Sequence, residues 1–129
     1  MRRKLRFAVV AGIAAAALSI GSAPASAADP AAGEQSFRRL CAACHIVTAE
    51  GRRTPGPSLF GVAGRRSGAL AGFRFSAASR DANVEWKRDT LDAYLKNPRE
   101  FMPGTTMAMP GVRGDDERAN IVVYLETLR

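Results

Sequence analysis

The hydrophobic positions of this chain fall into two regimes. Phe7 to Ile20 is one apolar run rich in alanine. Beyond residue 28 the apolar residues come in short stripes of helical spacing, divided by long stretches rich in glycine and proline. Asp29-Pro30 has the form of an N-cap followed by proline in the first helical turn, and Gly33, Phe37, Leu40 and Cys41 then share one face. A first helix ending near Cys41–His45 is therefore expected. Residues 49–72 carry eight of the chain's 12 glycines and 7 prolines, a density that predicts an irregular loop. Thr90 to Asn97 places Leu91, Tyr94 and Leu95 on one face, with Pro98 as its stop. Residues 102–111 read as a second loop, holding three methionines. Asp115, Asp116 and Glu117 suit the positive end of a last helix dipole, and Ile121, Tyr124, Leu125 and Leu128 form its apolar stripe. No period-2 strand is present. The pattern predicts an all-α domain of three to five helices with long loops.

The first regime has another origin. Arg2, Arg3, Lys4 and Arg6 precede the apolar run, and Ala25-Ser26-Ala27 follows it as a small-x-small cleavage pattern. This is the form of a secretory signal peptide over residues 1–27, with the domain at 28–129. The alternative, a retained membrane anchor, is disfavoured because the run is short for a span of about 20 residues. Removal of the leader changes the charge picture. The whole chain carries +7, but four of its 19 basic residues lie in the leader, which leaves 15 against 12 acidic residues. A strongly basic chain suggests nucleic acid; a mildly basic one suits only gentle steering toward acidic protein surfaces.

Some 102 residues support a modest core, and so much loop in so small a domain needs a reason. Cys41-Ala42-Ala43-Cys44-His45 supplies one. C-x-x-C-H is the haem c attachment signature: two thiols three residues apart reach the two vinyl groups, and the next residue places an imidazole at the iron. Three other readings compete. An oxidising compartment permits a Cys41–Cys44 disulfide. A thioredoxin-like pair requires a βαβ pattern, which is absent. A closed zinc site requires four ligands, and the chain offers two cysteines and one histidine. The single histidine also excludes bis-histidine ligation within the chain. A second axial ligand would be a methionine thioether, from Met102, Met107 or Met109.

With these residues in place, the chain resembles the class I cytochromes c, in their mitochondrial and bacterial cytochrome c2-like branch. The resemblance runs through Gly33-Glu34 and Phe37, Gly56-Pro57-Ser58-Leu59, Gly64-Arg65-Arg66-Ser67-Gly68, Gly72-Phe73, Trp86, Leu91 to Pro98, Pro103-Gly104-Thr105-Thr106-Met107 and Arg118 through Leu125. It implies a small single-haem fold whose loops wrap the haem, with Cys41 and Cys44 as tethers and His45 and Met107 as axial ligands. It further implies that Pro57 accepts a hydrogen bond from His45, that Arg65 and Trp86 hold a propionate, that Tyr94 lies beside the Met107 sulfur, and that Thr105 contacts the propionate region. Met102 becomes loop packing and Met109 a residue of the exposed haem edge. Gly33 would permit close packing against Tyr124.

Three positions depart from the family pattern. Phe75 stands where a propionate-binding tyrosine is common, Ser79 where asparagine is frequent, and the mature chain keeps only Lys87 and Lys96. Arg38, Arg39, Arg52, Arg99 and Arg113 would then form the positive rim. The implied activity is that of a soluble, exported, monomeric electron carrier in the periplasm. It would bear one covalent haem c, have no enzymatic turnover, and dock transiently on an oxidase, a cytochrome bc1-type complex, a reaction centre or a dehydrogenase. The competing classes are a haem enzyme or ligand sensor with an open distal site, and a dedicated electron-accepting subunit of a dehydrogenase.

Overall fold

The computed structural model describes residues 26–49 and 54–129; the expected leader up to residue 25, and Arg52 of the expected rim, lie outside these. Among the described residues five helices follow in order: α1 (Pro30–Leu40), α2 (Ala77–Asp81), α3 (Arg88–Lys96), α4 (Pro98–Phe101) and α5 (Asp115–Thr127). Among the described residues the only β feature is an isolated antiparallel bridge between Arg66 and Glu85. The all-α expectation holds.

The helix ends follow local chemistry. The Asp29 side chain accepts from the Ala31 amide at 2.9 Å, which occupies one of the orphan donors of α1. At α3 the Thr90 hydroxyl oxygen accepts from the Lys87 amide at 2.8 Å, so the helix begins at Arg88, two residues ahead of the sequence expectation. Two short helices were not expected. Ser76 caps the five-residue α2. Asn97 closes α3 and also caps α4, whose first residue is Pro98. Proline therefore ends one helix and starts the next, because its fixed φ suits a first turn and its missing N–H costs nothing there.

The terminal helices α1 and α5 form the principal helix–helix contact. The crossing depends on Gly33. A Cβ at that position would lie 1.9 Å from the Asn120 carbonyl oxygen and 2.8 Å from the Tyr124 Cβ. Polar contacts hold the same interface: Asp29 N donates to Asn120 Oδ1 at 2.7 Å, Ser36 Oγ donates to Glu117 Oε1 at 2.9 Å, and Arg39 pairs with Glu117. Phe37 meets Tyr124 with ring centroids 5.5 Å apart.

The core joins Phe37 and Cys41 of the α1 end to Val62, Leu91, Leu95, Val112, Ile121, Val122 and Leu125. On α5 the buried positions are Arg118, Ile121, Val122 and Leu125, whereas Tyr124 and Leu128 are half-buried. All four residues of the expected stripe thus belong to the core or pack against it, but the expectation missed both Val122 and a buried arginine. Arg118 is 4% exposed and bonded to Asp92 at 2.6 Å and Asp115 at 2.7 Å.

Gly33→Ala sets two effects against each other. Alanine gains about 1 kcal/mol of helix propensity, but overpacking costs about 1–3 kcal/mol, and here the obstacle is backbone, which cannot swing aside. Denaturant unfolding of the variant is expected to show a net loss of stability; an unchanged midpoint would contradict the close crossing.

Candidate haem site

The end of α1 delivers the two cysteines. The Cys41 amide bonds back to the Phe37 carbonyl at 2.8 Å, and the Cys44 and His45 amides bond to the Cys41 carbonyl at 3.0 and 2.9 Å. This tight turn fixes the C-x-x-C-H segment as one unit. Cys41 is buried, Cys44 is exposed, and no disulfide joins them. Burial, followed by the neighbouring Cys44 and Glu117, pushes the Cys41 thiol up to about 11, so it stays protonated at neutral pH.

His45 is held from two sides. Its Nδ1 lies 2.8 Å from the Pro57 carbonyl oxygen, as the resemblance implied. A carbonyl can only accept, so Nδ1 carries the proton and Nε2 keeps its lone pair. Burial lowers the His45 pKa, partly opposed by the Pro57 contact, which favours the neutral imidazole that binds metals. Gly56 forms a cradle for the ring: a Cβ there would lie 2.5 Å from His45 Cε1.

All nine residues singled out from the sequence line one cavity of about 390 Å³: Cys41, Cys44, His45, Pro57, Arg65, Trp86, Tyr94, Thr105 and Met107. Of the three methionines, Met107 and Met109 line it and Met102 does not. Met102 is 4% exposed in the core, and its sulfur accepts from Ser79 Oγ at 3.5 Å. Packing thus agrees with Met102 as a loop residue. Ser79, one of the three departures, is the partner that seats it. Phe75, another departure, lines the cavity and meets Phe73 at 4.8 Å between centroids.

Within the chain, Thr105 is bonded to two other residues of the cavity wall. Its Oγ1 lies 2.8 Å from the Tyr94 hydroxyl and accepts from the Met107 amide at 3.3 Å, so it serves the methionine segment. Burial raises the Tyr94 pKa despite that bond. Trp86, Tyr94 and Phe101 form an aromatic cluster with centroids 5.0, 5.7 and 6.3 Å apart. Phe101 was missed by sequence reasoning because it lies on a helix too short to show periodicity.

Arg65 donates to the carbonyls of Ser58 at 2.8 Å and Phe60 at 3.1 Å. Burial lowers its pKa, and among the described residues no carboxylate pairs with it. A half-buried cation facing a cavity without a counter-ion calls for an anionic group there. Taken together, the cavity offers apolar walls, two thiols, one imidazole with a free nitrogen, two thioethers and two arginines, Arg65 and Arg66, that meet no carboxylate among the described residues. That donor set fits a haem with acidic side chains.

Such a fold and site define a small single-haem cytochrome of the c type. The comparisons agree. The cytochrome c family model matches residues 30–129. The chain is 41% identical over 102 residues to cytochrome c of Nigella damascena, covering 79% of this chain and 92% of that one. It is 43% identical over 100 residues to cytochrome c 2.1 of Caenorhabditis briggsae, covering 78% and 88%. It is also 43% identical over 104 residues to cytochrome c of Chlamydomonas reinhardtii, covering 81% and 93%. The chain belongs to the cytochrome c family, and its cofactor is a covalently attached haem c.

Gly56→Ala tests the ring cradle. Steric overlap of the new methyl with His45 should lower unfolding stability by about 1–3 kcal/mol and perturb the low-spin absorption of the holoprotein. A wild-type spectrum with wild-type stability would show that the ring has room.

Proposed function

We propose that this member of an electron-carrier family transfers single electrons through a haem ligated by His45 and Met107 and tethered by Cys41 and Cys44. The observation that carries the reading is the pairing of two prepared donors on one cavity. His45 has Nδ1 committed to Pro57 and Nε2 free, and the Met107 backbone is pinned through Thr105 to Tyr94. When bound, the haem iron supplies the one-electron couple, and a thioether ligand raises its potential. The chain fixes the imidazole orientation through Pro57, as outer-shell partners of metal-binding histidines do. Arg65 would balance a propionate, with Trp86 beside it. With His45 and Met107 both holding the iron, no site would be left for a substrate, so the reading includes no turnover.

The docking surface differs from a ring of free cations. Arg38 is tied to Glu34 and Arg39 to Glu117. Of the described rim residues expected to steer the protein toward an acidic partner, whether oxidase, bc1-type complex, reaction centre or dehydrogenase, Arg99 and Arg113 are exposed and take part in no ion pair among the described residues, as is also true of Arg66, Arg74, Arg80 and Lys96. Complementary charge of this kind speeds encounter more than it tightens binding.

The leader pattern supports a location outside the cytoplasm, in the periplasm, and the reading takes the carrier as a monomer. Among the described residues no helix is long and apolar enough to cross a membrane. Edman sequencing of the exported protein should begin at Ala28; an intact leader on the mature protein would favour an anchor.

Met107→Ala is the direct test of ligation. Loss of the sulfur-to-iron charge-transfer band and a lower reduction potential are expected. Retention of both would transfer the role to Met109, the other methionine on the cavity.

A further inference from the structure

We propose that Arg118 is the positioning residue of the methionine loop: its buried guanidinium holds the far end of residues 102–113 closed, and so keeps Met107 on the iron. The inference rests on the reading of Met107 as axial ligand.

The loop is fastened at both ends by different means. At its start, backbone bonds run from the Met102 amide to the Pro98 carbonyl at 2.9 Å and from the Thr105 amide to the Met102 carbonyl at 3.0 Å. At its return, Gly111 (φ +103) presses against the end of α3, where a Cβ would lie 2.2 Å from the Lys96 carbonyl oxygen. The next residue donates from the Val112 amide to the Leu95 carbonyl at 2.8 Å. Arg118 completes this closure. Its Nη1 donates to the carbonyls of Val112 at 3.0 Å and Arg113 at 3.5 Å, its Nε to Asp92 of α3 at 2.6 Å, and its Nη2 to Asp115 of α5 at 2.7 Å. One side chain, 5% exposed, therefore joins α3, the loop's return and the first turn of α5.

The chemistry requires arginine. Its planar fork can serve two carboxylates and a carbonyl at once, which a single ammonium at the end of a flexible stem cannot. The loop carbonyls are also held by a full charge, and such bonds are stronger than neutral ones. Without the fork the return of the loop loses its charged hydrogen bonds and keeps the amide bond to Leu95, the Gly111 contact and the burial of Val112. The state in which Met107 has left the iron then becomes more populated. An outside ligand binds only that open state, so its apparent affinity reports the open fraction directly.

The test is imidazole titration of the ferric holoprotein, followed by loss of the sulfur-to-iron charge-transfer band. Arg118→Gln should bind imidazole roughly tenfold more tightly than wild type, the scale of one charge-assisted hydrogen bond. Asp92→Ala, which keeps Arg118 and removes one anchor, should shift the affinity in the same direction by less, and it covers the case in which Arg118→Gln does not fold. Val122→Ala, a buried change on the same helix away from the cavity, controls for general destabilisation. It should lower the unfolding midpoint and leave imidazole affinity at the wild-type value. Unchanged affinity in the Arg118 and Asp92 variants, or an equal gain in Val122→Ala, overturns the inference while leaving His/Met ligation intact. A wild-type protein without the charge-transfer band removes the ligation reading itself, and this inference with it.

Discussion

The approach of α1 to α5 at Gly33 sets the geometry on which the haem site depends. Helix backbones can come this close only where one contributes no side chain, and the Asn120 carbonyl occupies the space a methyl group would need. The contact matters beyond the interface because α1 runs directly into Cys41, and the 41–45 turn is built on hydrogen bonds to the Phe37 and Cys41 carbonyls. Phe37 and Cys41 are members of the same core as Ile121 and Leu125. Orientation of the two thiols and of His45 is thus inherited from a helix crossing. The polar bonds of Asp29, Ser36 and Arg39 to α5 fix the register of that crossing.

The rest of the domain is arranged around a cavity and not around a second layer of structure. Residues 54–76 contain no helix, and their backbone is held by turn bonds and by Arg65, whose guanidinium gathers the Ser58 and Phe60 carbonyls. Leu59, Val62 and Phe73 turn apolar surface toward the cavity. A domain of this size that leaves its centre to a cofactor makes the cofactor part of its core, which explains how so much irregular chain is tolerated. The Ser79–Met102 contact and the Tyr94–Thr105 contact then tie the flanking loops to the helices behind them.

Charge is used locally. Arg38, Arg39 and Arg88 each meet a carboxylate within the chain, and exposed pairs of this kind add little stability. Arg118 is different because it is buried and bonded on every side. Its cost of desolvation is offset by two carboxylates and two carbonyls, and removal of one member would leave a buried charge uncompensated. Among the described residues the basic side chains are therefore divided among a set of surface pairs, one internal staple, the cavity-lining Arg65 and Arg66, and exposed charges without a partner carboxylate.

Signals carried by neighbours in the chain were legible without a structure. Asp29-Pro30 marked the start of α1, the acidic triplet marked the start of α5, and Cys41 to His45 carried the chemistry in five consecutive residues. Each works over a few bonds, so spacing alone encodes it. The short helices α2 and α4 were not legible, because four or five residues show no period and their caps acquire meaning only in context. The burial of Arg118 was hidden too, since a charge at the edge of an apolar stripe reads as solvated until Asp92, 26 positions away, is brought beside it. The pairing of Arg39 with Glu117, 78 positions apart, was hidden for the same reason. The sequence by itself determined which atoms could bind a haem. Only the tertiary structure decided which methionines face the cavity and which arginines remain free, because burial and pairing are properties of segments that meet through folding, not of residues that adjoin in the chain.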